Sequence, residues 1–203
     1  MINPDKDGID HINIYSKAKT NLGKLLSNFA WTPFTCEDGL FSSIEGYWYW
    51  LGCKDDRLRD MYGFKAKKLG RELEAPDYQD DEEFKRKIKS ALRCKMFEHP
   101  DIAKMLKESD LPLKHYYVFG GEKVVEPKEG KWVIEEIELI RQELKKGLHN
   151  SKTYDTKKIL YGECDCGASA QPSHSCPFSS EICGNYDLCN CCENCENQCA
   201  MDI

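Results

Sequence analysis

The sequence predicts an α+β fold, richer in helix than in strand and carrying a small β-sheet, followed by a small metal-stabilised cysteine-rich tail. Three observations point there. Residues 82–97 place Phe84, Ile88, Ala91, Leu92 and Met96 on one apolar stripe, with Lys85, Lys87, Lys89 and Lys95 elsewhere, which is the pattern of an amphipathic helix. Two β-prone runs, 115–119 and 123–125, flank Gly120-Gly121 as paired strands flank a turn. Nine of the twelve cysteines fall between Cys164 and Cys199.

A chain of 203 residues has room for one real core and an appendage. No apolar run approaches bilayer length, and the opening MINPDKDGID lacks the basic and apolar regions of a secretory signal. A cytoplasmic protein without a membrane partner is expected. The net charge of -6 is uneven: all 29 Lys and Arg precede residue 163, with 28 of the 35 acids, while 163–203 holds seven acids and no base. Such a tail has nothing with which to grip a phosphate backbone.

In chain order, residues 1–10 read as a disordered leader, and HINIYS at 11–16 alternates like a short strand. Asn21 to Gly23 signals a turn before the apolar, aromatic stretch 25–34, and Asp38-Gly39 signals another. Ser42 or Ser43 offers an N-cap to a helix over 44–51. A short helix follows at 64–73, a loop at 76–81 and the amphipathic helix at 82–97. Pro100 opens a helix through Leu106, and 132–144, with Val133, Ile137, Ile140 and Leu144 on one face, closes the main domain before a C-cap at Gly147. The main domain therefore spans 11–146, a polar linker 147–162 and the tail 163–203.

Three stretches carry chemistry. Ser27 and Asn28 set small polar groups inside an apolar run, beside the stacking surfaces of Phe29 and Trp31; a buried turn satisfying its own backbone is the competing reading. On a helix, Glu45 shares a face with Trp48 and Tyr49, and a carboxylate that loses hydration beside rings has its pKa raised toward the acid–base range. The competing reading is a core helix with a solvated glutamate. Lys65, Lys67, Lys68 and Arg71 form a basic cluster that faces either phosphates or plain solvent. The three cysteines of the main domain, Cys36, Cys53 and Cys94, read as small buried hydrophobes.

In the tail, Cys192 and Cys195 have the spacing that brings two sulfurs to one tetrahedral zinc. Cys164, Cys166, His174, Cys176, Cys189 and Cys199 complete a donor set large enough for two four-ligand structural sites, with Cys183 and Cys191 to spare. A segment this poor in aliphatic residues needs metal to fold, and so many thiolates imply closed coordination with no catalytic metal. A disordered or disulfide-linked tail is the alternative.

Taken together, INIYS at 12–16, LSNFAWTPF at 26–34, SSIEGYWYW at 42–50, AKKLGREL at 66–73, KSALRCKMFEHPDIAKML at 89–106 and WVIEEIELIRQEL at 132–144 resemble the NADAR or YbiA-like family of N-glycosidases. The resemblance covers about two thirds of the chain. It implies cleavage of an N-glycosidic bond in an ADP-ribose-type substrate, either ADP-ribosylated guanine in DNA or a related ribosyl metabolite. It matches Glu45 to the family's first acid, with Trp48 and Tyr49 following it, and Arg71 to a Gly-Arg segment. Two departures stand out: Gly46 replaces a histidine beside that acid, and Gly52 stands near a position that often carries lysine. For the second acid, Glu126 is the first candidate and Glu122 the second. By two-carboxylate logic Glu45 or Glu126 activates water or stabilises an oxocarbenium-like cation, while Ser27, Asn28, Phe29, Trp48, Tyr49 and Arg71 bind the substrate. The EGYWYW form is similar to bacteriophage-encoded members, which implies the host cytoplasm and a host or phage protein as partner of the tail. The alternative is a non-catalytic module that binds an ADP-ribose derivative.

Overall fold

The computed structural model describes residues 2–147 apart from 77, 79–80, 120–122 and 128–129. The expected zinc ligands, Glu122 and the expected linker beyond Gly147 lie outside the described residues. Three helix starts follow from side-chain capping. Thr20 accepts from the Gly23 N–H at α1 (Asn21–Leu26), Ser43 from the Gly46 N–H at α2 (Ile44–Cys53), and Asp81 from the Phe84 N–H at α4 (Glu82–Glu98). Between them, α3 (Gly63–Glu72) begins after Tyr62 without a side-chain cap. Pro100 starts α5 (Pro100–Glu108), and Gly130, at φ +74°, precedes α6 (Lys131–Lys145).

The strands are short, and among the described residues they make three separate pairs rather than the one small sheet expected. β1 (Ile12–Asn13) runs parallel to β4 (Leu113–Lys114); β2 (Phe34–Cys36) and β3 (Gly39–Phe41) form a hairpin, as do β5 (Tyr117–Phe119) and β6 (Lys123–Val125). Mixed helix and strand, with helix dominant, is the class observed. The core lies where α4 packs against α2, β2, α5 and α6, centred on Phe34, Phe41, Ile44, Tyr47, Ile88, Leu92, Leu106 and Ile137.

Three local expectations are corrected. Residues 3–10 are not a disordered leader: Pro4–Lys6 forms a 3₁₀ turn capped by Asn3, and buried Asp7 accepts from the backbone N–H groups of Asn13 and Lys19 at 2.9 and 2.7 Å. Asn21 to Gly23 is not a turn but the start of α1; Gly23 is there because a Cβ would sit 2.2 Å from the Asn13 carbonyl. Lys95 does not share the polar face of α4 and is fully buried, at 0% exposure. Its place follows from spacing, since 84, 88, 91 and 95 recur at the period of one helical face.

A second buried cation on α4 is paired. Arg93 donates through Nε to Glu136 at 2.8 Å and through Nη1 to Glu143 at 2.6 Å, tying α4 to α6. Removing Arg93 takes from buried Glu136 its nearest counter-charge, at 2.7 Å, leaving Lys89 at 3.9 Å, so Arg93→Met should destabilise the domain by about 3–5 kcal/mol, read as a lowered urea midpoint.

Candidate functional site

The centre of the site is the first turn of α2. Ser43 turns the chain into the helix: its hydroxyl donates to the Met61 carbonyl at 2.9 Å and accepts from the Gly46 N–H at 3.0 Å. Glu45 follows with its residue 9% exposed, and its own N–H donates to the Asn28 carbonyl at 2.9 Å. Among the described residues no hydrogen bond or ion pair reaches the Glu45 carboxyl. Burial raises its pKa from 4.5 to about 7, against the opposing pull of Lys67 and Arg71 from α3.

The Ser27-Asn28 pair is thus joined to Glu45 through backbone. Ser27 is buried, and its hydroxyl accepts from the Phe29 N–H at 3.2 Å. That local bond is the self-satisfied turn weighed against ligand binding, while Asn28 stays half-exposed. The Phe29 ring receives the Lys67 ammonium 5.6 Å from its centroid. Trp31 is open to solvent.

Trp48 and Tyr49 are placed differently from each other. Trp48 stacks on Trp132 of α6, with centroids 5.6 Å apart, and meets Phe84 edge-on, so its ring serves the packing of α2 against α4 and α6. Tyr49 lies against α3, where a Cβ on Gly70 would fall 2.1 Å from its Cγ. This close approach of α2 and α3 is what brings Lys67 and Arg71 within electrostatic reach of Glu45.

Gly46 and Gly52 have a steric cause as well. A Cβ at Gly46 would lie 2.5 Å from the Leu58 carbonyl oxygen, and one at Gly52 2.8 Å from that of Pro76. The histidine and lysine that the resemblance sets at these points have no room beside those segments.

Glu126 is exposed and lines a cavity of about 240 Å³ with Lys114, His115, Lys131 and Glu135, whose lining includes no residue of α2 or α3. Sequence reasoning passed over His115. Its Nδ1 lies 2.7 Å from the Ile14 carbonyl, which only accepts, so Nδ1 carries the proton and Nε2, 3.0 Å away, accepts from the Tyr117 hydroxyl. Burial depresses its pKa, and Lys67 adds to the effect. Lys67, seen beforehand only as part of a basic cluster, thus acts on both Glu45 and His115, a role no sequence spacing could reveal. Among the described residues no group of three or more His, Cys, Asp or Glu is placed to hold a metal ion.

A raised carboxyl pKa is also a statement about stability. Between pH 4.5 and 7 the unfolded chain has released the Glu45 proton while the folded protein keeps it, so stability falls as pH rises through that window. Glu45→Gln should remove this slope and stabilise the domain above pH 7 by about 1–3 kcal/mol, measured as denaturant midpoints across pH 4–9. No family model matches the chain, and no curated protein or solved structure matches it either.

Proposed function

We propose that the chain is an N-glycosidase that hydrolyses the N-glycosidic bond of an ADP-ribose-type substrate, ADP-ribosylated guanine in DNA or a related ribosyl metabolite. The observation that carries this reading is the Glu45 carboxyl, buried without a hydrogen-bond partner among the described residues and titrating at about 7 beside two cations. A group poised at the working pH serves as acid and as base in one cycle. Protonated Glu45 donates to the leaving nitrogen as the C1–N bond breaks, and the bonding pair departs with the base. Water then adds to the oxocarbenium-like C1 and returns a proton to the Glu45 carboxylate. Lys67 and Arg71 supply positive charge for phosphoryl oxygens, and Phe29 supplies a ring face. The proton balance closes with one carboxylate, so a second acid such as Glu126 is not required for it.

A second reading is a non-catalytic module that binds an ADP-ribose derivative. It is favoured by the closed positions at Gly46 and Gly52, which deny α2 two side chains that the resemblance associates with the site. Calorimetry with ADP-ribose, paired with mass spectrometry after incubation with guanine-ADP-ribosylated DNA, NAD and riboflavin intermediates, separates the two. Release of a free base supports the enzyme; binding without release supports the module.

For the enzyme, Glu45→Gln should leave the fold intact and reduce turnover by roughly a hundredfold or more. The wild-type rate should fall as pH rises through about 7, because the acid form is lost there. Near-normal turnover in this variant would take Glu45 out of the chemistry.

For the tail, we propose that Cys164, Cys166, His174, Cys176, Cys189, Cys192, Cys195 and Cys199 hold structural zinc, whose thiolate and imidazole donors suit that ion, and that the tail docks to a protein partner. Elemental analysis of the purified chain should return roughly two zinc ions per molecule. A chelator that strips them should leave the Glu45-dependent rate unchanged.

A further inference from the structure

We propose that Lys95 is a positioning residue: from inside the core its side chain holds the 27–29 segment, and that segment holds Glu45 in its buried place. Lys95 stands on α4 at 0% exposure, and Nζ donates to the Ser27 carbonyl at 3.3 Å. The next carbonyl, that of Asn28, takes the Glu45 N–H, and the Ser27 hydroxyl takes the Phe29 N–H. One ammonium in the core is therefore one residue of backbone away from the carbonyl that takes the Glu45 N–H, and two from the ring under Lys67.

A filler of the core would not be a lysine. Its position on α4 belongs to the stripe of Phe84, Ile88 and Ala91, where methionine or leucine packs as well and carries no charge to desolvate. Arg93, two residues earlier, has two carboxylates beside it, whereas Lys95 forms no ion pair among the described residues. Burial alone lowers its pKa, to about 7, and no neighbouring charge offsets that. A buried amine left uncompensated costs stability, and the contact it makes is with the segment that carries Ser27, Asn28 and Phe29.

This inference rests on the reading of Glu45 as the reacting acid, but its test needs no substrate. The full chain is labelled with ¹³C at the glutamate carboxyls. The Glu45 signal, assigned by its absence in Glu45→Gln, is titrated in wild type, Lys95→Met and Lys104→Met, the last an exposed lysine of α5 as control. The wild-type midpoint should lie near 7. Lys95→Met should keep its thermal midpoint, because a buried charge has been removed, yet the Glu45 midpoint should fall by about one pH unit or more as water reaches the carboxyl. Amide exchange at Glu45 and Phe29 should speed up, and Lys104→Met should match wild type.

An unchanged Glu45 midpoint in a folded Lys95→Met protein overturns the proposal and leaves Lys95 a core residue only. If that variant does not fold, Lys95→Gln, which keeps an N–H donor with a shorter reach, is read in the same way; failure of both to fold also overturns it. A wild-type midpoint near 4.5 instead overturns the acid–base reading of Glu45 itself, and is told apart because no Lys95 variant enters that measurement.

Discussion

Helix α2 is held by segments that pass too close for any side chain, the carbonyls of Leu58 and Met61 at Gly46 and that of Pro76 at Gly52, while the Tyr49 ring rests on Gly70 of α3. Three glycines thus let backbone and ring surfaces meet around one helix. On the first turn of α2, between Ser43 and Gly46, Ile44 and Glu45 both face inward, and Glu45 is buried at a helix N-terminus where an exposed carboxylate would have been the easier choice. The raised pKa of Glu45, the nearness of Lys67 and Arg71 and the bond from its N–H to the Asn28 carbonyl all go with that seating.

The domain treats its buried charges in two ways. Arg93 bridges Glu136 and Glu143, a structural arrangement in which each charge is matched. Glu45 and Lys95 are left without direct counter-charges among the described residues, and both are driven by burial toward titration near 7 from opposite ends of the scale. Their effects on stability oppose one another. Across 4.5 to 7 the acid lowers stability as pH rises; from 7 to 10.5 the folded protein has released the Lys95 proton that the unfolded chain retains, and stability climbs. These two groups alone therefore place a stability minimum near neutrality.

The positive charge beside Glu45 comes from α3 rather than α2. In the resembling pattern a histidine and a lysine sit on the helix of the acid; here both positions are glycine and both are sterically closed. Lys67 stands where it acts at once on Glu45, on the Phe29 ring and on His115, joining α2, the 27–29 segment and the corner between β4 and β5. Glu126 lines a recess together with His115.

Periodicity was enough to locate the long helices, because an amphipathic stripe is a local property: α4 over Glu82–Glu98 and α6 over Lys131–Lys145 agree with the patterns at 82–97 and 132–144. The β5–β6 pairing was legible from Gly120-Gly121 for the same reason. Ser27, Asn28, Glu45 and Arg71 were legible as candidates for one site, but not the backbone bond from the Glu45 N–H to the Asn28 carbonyl. The opposite fates of Trp48 and Tyr49, Trp48 stacked on Trp132 and Tyr49 pressed on Gly70, depend on which neighbours α2 meets, and those neighbours lie far along the chain. Lys95 is the sharpest case. Its spacing put it on the core face while its charge argued for solvent, and only the carbonyl of Ser27, 68 residues away, tells why an ammonium is inside. Local sequence determines which helices form and which faces are apolar; which buried charge finds a partner is decided by contacts between distant segments, and that alone made Glu45 and Lys95 more than a solvated acid and a surface lysine.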